Sequence, residues 1–276
     1  MKKTWITLSL MLSAYWLQAQ QTGIVQYERT TKIQINTNNL PEGAPNIPNE
    51  RKAKQELLFN DSTSLYRDVI EDEPEAFEGG GNVRMFRFGG GNTQFYKNFN
   101  SLLLLEAREM FDRKYLINDT IKPQKWKPQP GETRIIAGHT CYKATLTITA
   151  TEMFGNTRRM TFRGGSQEPT SDTTVARTPA PPRTIEIEAW YAVDIPVPTG
   201  PDTYGGLPGL ILGLYTNDGS LSIVATNVSL TANVNKDLKQ PSKGKAVSRA
   251  AFAEELRKII EEQRANMGGR GRVIMQ

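Results

Sequence analysis

The sequence predicts a mainly β protein that ends in one amphipathic helix, and three observations carry this. Short runs of alternating or β-branched and aromatic residues, separated by Gly, Asn, Asp and Pro, recur from Gly23 to Leu230. Helical periodicity enters only after Lys236, where Phe252, Leu256, Ile259, Ile260 and Gln263 fall on one stripe. The 276 residues contain one cysteine, Cys141, so the fold rests on an apolar core and not on an intrachain disulfide.

Taken in order, the chain opens with Lys2 and Lys3, an apolar stretch from Trp5 to Leu17 and a small residue at Ala19. This pattern predicts a signal peptide over residues 1–19, too short in its apolar part to span a bilayer well. No later stretch is apolar enough to span, so the mature chain is expected to lack a transmembrane segment. A β domain is expected over 20–235 and a linker with a helical tail over 236–276. Val25 to Ile35 reads as the first strand. Glu56–Phe59 and Ser64–Val69 flank a hairpin turn at Asn60-Asp61-Ser62-Thr63. Residues 71–92, acidic and then Gly-rich, read as a flexible insertion around a Gly-turned hairpin. Leu102–Leu105 reads as a strand covered on both faces, followed by Tyr115–Ile117 and a strand toward Trp126. Arg134–Ile136 turns at Gly138 into His139–Thr149, and a Pro/Gly/Ser/Thr-rich insertion fills 150–183. Thr184–Val193 is a strand. Asn217-Asp218-Gly219 turns Leu210–Tyr215 antiparallel onto Ser220–Leu230. Ser248 is placed to cap a helix that ends near Gly268.

Charge is uneven. The formal net charge is +5, but residues 236–276 hold ten basic and five acidic side chains, against 22 and 24 in residues 20–235. The basicity belongs to the tail, which argues against a nucleic-acid-binding body.

Gly205-Gly206-Leu207-Pro208-Gly209-Leu210-Ile211-Leu212-Gly213 is the most Gly-punctuated apolar run outside the N-terminus. Pro208 sets φ near −65° and Gly209 tolerates φ > 0, so the run predicts a type II turn entering a buried strand. Neither this run nor the triple glycines at 79–81 and 89–91 is followed by Lys-Ser/Thr, which argues against a phosphate loop. His139 and Cys141 lie two apart on one strand face. They are weak metal candidates, because His139 is the sole histidine and a site needs more ligands. Their spacing is too long for a direct thiol–imidazole dyad. No Gly-x-Ser-x-Gly is present, and the carboxylates form no distinctive pair. No catalytic residue and no cofactor is therefore assigned. Trp190, Tyr191 and Tyr204 flank the proline loop from Ile195 to Tyr204. With Phe252, Leu256, Ile259 and Ile260 of the tail, they are the candidate partner contacts.

Gly206-Leu207-Pro208-Gly209-Leu210-Ile211 spells the signature of the GLPGLI family, which this chain resembles. Further pieces stand in order at Gly23, Val25 and Tyr27; at Gly138, Cys141, Lys143 and Ala144; at Ala189-Trp190-Tyr191 with Asp194-Ile195-Pro196; and at Gly200-Pro201. The resemblance runs from Gly23 to about Val228. No activity is assigned to that family; its members are exported β proteins, often encoded near TonB-dependent receptors. It implies a location in the periplasm or at the outer membrane, with a protein partner there. The chain order is also similar to half-barrel lipoprotein carriers, which implies a curved antiparallel sheet around a groove. Asp61-Ser62-Thr63, Asp119-Thr120-Ile121 and Asp172-Thr173-Thr174 match a short periplasmic O-glycosylation motif of the phylum where the family occurs, which marks Ser62, Thr120 and Thr173 as candidate sites.

The expectation is a non-enzymatic cell-envelope protein, an accessory or binding subunit of an outer-membrane receptor or machine. A periplasmic carrier of a lipid or other apolar ligand, and a hydrolase with a hidden site, are the alternatives.

Overall fold

A computed structural model describes residues 21–32, 50–69, 91–110, 113–149, 184–234 and 236–268. Among them are twelve strands and one helix. The strands are β1 (Gly23–Lys32), β2 (Glu50–Phe59), β3 (Thr63–Asp68), β4 (Gly91–Asn98), β5 (Leu103–Met110), β6 (Arg113–Thr120), β7 (Lys127–Ile136), β8 (His139–Thr149), β9 (Thr184–Ala192), β10 (Leu210–Thr216), β11 (Leu221–Ser229) and β12 (Lys245–Ser248). The helix is α1 (Arg249–Gly268).

All twelve strands belong to one sheet, ordered β12-β6-β5-β4-β3-β2-β1-β11-β10-β9-β8-β7. Two antiparallel meanders, β1–β6 and β7–β11, meet where β1 pairs with β11. The chain's own connectivity requires the sheet to curve. In strand order β6 and β7 are ten positions apart, about 48 Å in a flat sheet at ~4.8 Å per strand. Only Ile121–Trp126 connects them, a reach of about 25 Å at most. The two ends of the sheet are therefore drawn toward each other, which closes its inner face around a core.

Period-two alternation and register identify that face. Val25 and Tyr27 of β1, Leu57 and Phe59 of β2, Tyr66 of β3 and Leu104 of β5 are buried there, as are Ala144, Leu146, Ile187, Ala189, Leu214 and Ile223. Residues 193–209 cross the same face. In the extended part of this loop Ile195, Val197 and Thr199 point inward, while Pro196 and Pro198 are exposed. The opposite face carries a small cluster of Leu65, Tyr96 and Leu105, over which Leu238 of the tail packs. The tail crosses this outer face, adds β12 in parallel to β6 and places α1 on the inner face against Tyr115 and Ile117.

Turn chemistry follows the expected residues. Asn60 Oδ1 accepts from the backbone N–H of Ser62 and Thr63 and from both hydroxyls, which closes the β2–β3 turn. Ala137 and Gly138 both have positive φ, as a two-residue type I′ hairpin requires. Ser248 Oγ accepts from the Ala251 N–H at 3.2 Å and caps α1.

Four expectations are corrected. Leu102 lies outside β5, exposed and at φ 53°, as the turn residue whose carbonyl accepts from Ile121 N–H. β6 continues through Asn118 and Asp119, and residues 121–126 form a crossing segment instead of a strand. The strand β12 was not expected; four mostly exposed residues give no alternation to read. Gly209 does not have positive φ, so the type II turn is absent; that backbone belongs to Gly206 at φ 80°. Gly209 is instead needed for a close approach, since a Cβ there would lie 2.1 Å from the Ala192 carbonyl oxygen. The expected insertion up to residue 90, with the first arm of its Gly-turned hairpin, and the insertion 150–183 lie outside the described residues.

Candidate functional site

The loop of residues 193–209 is where separate stretches of sequence converge. Tyr27 is buried in β1 and donates its hydroxyl to the Ile211 carbonyl at 2.7 Å. Gly200 admits Ile211; a Cβ there would stand 2.7 Å from the Ile211 Cβ. Trp126 stacks toward Tyr204 at 6.3 Å and donates from Nε1 to the Gly205 carbonyl, while Gln124 Oε1 accepts from Gly205 N–H. The crossing segment thus clasps the loop from above as the sheet holds it from below.

The contact from below is polar and buried. Lys97, on the inward parity of β4, is only 3% exposed. Its ammonium donates to the carbonyls of Gly200 at 3.0 Å and Tyr204 at 2.5 Å, with Thr199 Oγ1 at 3.5 Å. Burial pushes its pKa down to about 7, against the opposing pull of Asp202. Ser64 and Thr199 share a hydrogen bond of 2.9 Å between their hydroxyls. Arg29 donates from Nη1 to both Asp202 oxygens, at 2.9 and 3.0 Å. Burial opposes the charge on Arg29, but Asp202 and Tyr66 more than offset it, so the guanidinium stays protonated. Tyr66 donates to Gln55 Oε1, and Gln55 in turn donates to Asp68 at 2.7 Å. Burial raises the pKa of both Tyr66 and Tyr204. Every named donor under the loop is satisfied by the chain itself, an arrangement that fixes the loop.

The residues singled out from sequence are placed as follows. Leu207, Leu210 and Ile211 are buried in the core, and Pro208 is exposed beside them. His139 Nδ1 lies 2.7 Å from Asp194 Oδ2 near the surface. Cys141 is fully buried, its thiol directed to the His139 carbonyl at 3.6 Å. Burial, with Asp194 adding, pushes that thiol up to about 11, so it is protonated and a poor nucleophile at neutral pH. Among the described residues no group of three His, Cys, Asp or Glu side chains is placed to hold a metal ion. Ser62 is half-buried, its hydroxyl donating to Asn60; Thr120 is exposed; Thr173 lies outside the described residues.

The three aromatic contact candidates are buried side chains. Tyr191 and Tyr204 are buried in the core. Trp190 is buried on the outer face beneath the Arg134 guanidinium, 4.3 Å from the ring centroid, and donates to Glu188 Oε1. Lys143 completes that cluster by pairing with both Glu132 and Glu188. Phe252 packs edge-on against Tyr115 at 5.2 Å, and Ile259 is buried and Leu256 partly so. Ile260 is helical, with its side chain outside the described set. Six large apolar side chains are exposed among the described residues: Val69, Leu102 and Leu230, and the three that went unnoticed in the sequence beside the β7–β8 hairpin, Ile135 (76%), Tyr142 (40%) and Val193 (45%). Ile135 and Tyr142 occupy the inward parity of β7 and β8, past the point where the loop covers that face, and β7 is the free edge of the sheet. Lys97 and Ser64 were also missed. Their signal was an inward position on an alternating strand, shared with Phe95 and Tyr66.

Solved structures are similar at low identity. PNGF-II in a C2 crystal form matches at 15% identity and TM-score 0.49, over 85% of this chain and 32% of that one. The P21 form matches at 17% and 0.46, with the same coverage. LprF from Mycobacterium bovis matches at 10% and 0.27, over 80% of this chain and 90% of LprF. The chain thus spans about a third of the PNGF-II chain. No curated protein sequence matches it. Residues 126–213, from the indole that clasps the loop to the glycine beside Trp190, match the model of one family, Porph_ging, described as a protein of unknown function.

Proposed function

We propose that this chain is a non-enzymatic protein of the cell envelope, exported to the periplasm or the outer-membrane surface, where it serves as an accessory or binding subunit of an outer-membrane receptor or machine. The GLPGLI signature at Gly206–Ile211 and the leader-like N-terminus support the location. The observation that carries the binding role is the exposure of Ile135 and Tyr142 on the free-edge hairpin, with Val193 exposed just past the end of the neighbouring β9. A cluster of exposed apolar side chains beside an unpaired strand edge is a docking surface by its chemistry. All three residues lie within the stretch matched by the family model.

The non-catalytic reading is supported by how the buried polar groups are used. Lys97, Arg29, Ser64 and Tyr66 spend their hydrogen bonds on the loop and the sheet, and the thiol is buried. The carrier reading is weaker, because Ile195, Val197 and Leu207 of the chain's own loop fill the inner face where an apolar ligand would sit.

The test compares wild-type protein with the Ile135→Asp, Tyr142→Asp double variant, each used to capture partners from solubilised outer membranes. The expected result is a discrete protein retained by the wild type and lost by the variant at unchanged melting temperature. Equal retention by both, or no retention by either, overturns the reading.

A further inference from the structure

The tail beyond β11 is attached to the sheet in a different way from everything else in the fold. It shares no residue with the main core. Leu238 packs on the outer cluster and Phe252, with Val247 and Leu256, around Tyr115 and Ile117, while Val234 and Ile259 are buried as well. β12 is four residues long, mostly exposed, and forms the sheet's one parallel pairing.

Ion pairs add to this packing and to the β12–β6 ladder. Arg249, the first residue of α1, donates from Nη1 to Glu106 Oε2 at 2.6 Å and from Nε to Asp119 Oδ2 at 2.9 Å. Glu106 is 1% exposed and lies 2.7 Å from Arg108 Nε as well. Burial tends to raise the Asp119 carboxyl, but the Thr120 N–H and Arg249 hold it below its usual range. Within the tail Lys245 of β12 pairs with Glu255 of α1, and Glu255 reaches the sheet by accepting from the Tyr115 hydroxyl at 3.4 Å.

Arg249 is in an unfavourable place for the helix itself. The first turn of a helix favours negative charge, yet α1 has no acid in its first turn and no base in its last. The negative charge at its N-terminus comes from Glu106 and Asp119 of the sheet. Off the sheet, the helix loses these carboxylates and its apolar partner together, so its formation is coupled to docking.

We propose that β12 and α1 form an electrostatic latch, held by Arg249 between Glu106 and Asp119, which opens as a unit while the sheet stays folded and bares the β6 edge with Tyr115 and Ile117. Opening would leave the β6 backbone groups that β12 now pairs exposed to solvent.

Hydrogen exchange followed by mass spectrometry on the full chain tests this, with the wild type at low and high salt and the Arg249→Ala and Arg249→Lys variants. The expected result is exchange in 249–268 and in β6 faster by about tenfold or more in Arg249→Ala, from the loss of two charge-assisted bonds. High salt should act in the same direction, Arg249→Lys should fall between, and β1–β3 should not change. The proposal is overturned if β1–β3 accelerate together with α1, or if α1 is as protected in Arg249→Ala as in the wild type.

Discussion

Gly209 and Gly206 lie three residues apart and are glycine for different reasons. Gly206 sits at φ 80° with open space where a Cβ would go, so Gly206→Ala should cost about 1 kcal/mol, through backbone strain alone. Gly209 faces the backbone of Ala192 and Val193, which cannot move aside, so Gly209→Ala should cost about 3 kcal/mol. Urea titrations of the two variants check the order; equal losses would contradict it. Lys97 gives a pH prediction whose sign follows from proton binding. Its folded pKa is about 7 against an ordinary lysine value of 10.5, so between those limits the unfolded chain holds more protons than the native state. This group's contribution to stability should therefore rise as pH goes from 7 toward 10, and a Lys97→Met variant should flatten that rise. A wild-type slope equal to the variant's would contradict the prediction.

At the scale of elements, most strands could be read from alternation, because one face of each is buried. Val25 with Tyr27 and Ile185 with Ile187 show it plainly, and the Asn-Asp-Gly and Ala-Gly turns show where hairpins close. β12 and the crossing segment 121–126 could not be read in this way: one is mostly exposed and the other is held by single side-chain contacts from Gln124 and Trp126. The polar floor under the loop was hidden for another reason. Lys97, Ser64 and Arg29 meet Thr199, Gly200 and Asp202 across more than a hundred residues, and alternation says which way a side chain points but not what it meets. The same limit concealed the exposed strip. Ile135 and Tyr142 have the parity of core residues, and only the end of the covering loop leaves them outside. Ile135→Asp should accordingly change stability by no more than about 0.5 kcal/mol in thermal unfolding, as for an exposed site. A loss of several kcal/mol would place Ile135 in the core.

For the whole molecule, the curve of the sheet follows from a short β6–β7 connection, and the space inside the curve is taken up by residues 193–209. A groove-like sheet is thereby converted into a filled body, with exposed apolar side chains left beside its β7 edge. No helix among the described residues is long and apolar enough to cross a membrane. A fluorescent apolar probe should consequently gain little emission with the folded protein, whereas saturable one-to-one uptake would favour a carrier. The most direct measurement of the docking role is site-specific photo-cross-linking in the intact envelope. A photoreactive residue at Tyr142 should give one discrete adduct with an envelope protein, and the same residue at the exposed Thr120 should not. No adduct at position 142, or the same adducts from both positions, would contradict the account.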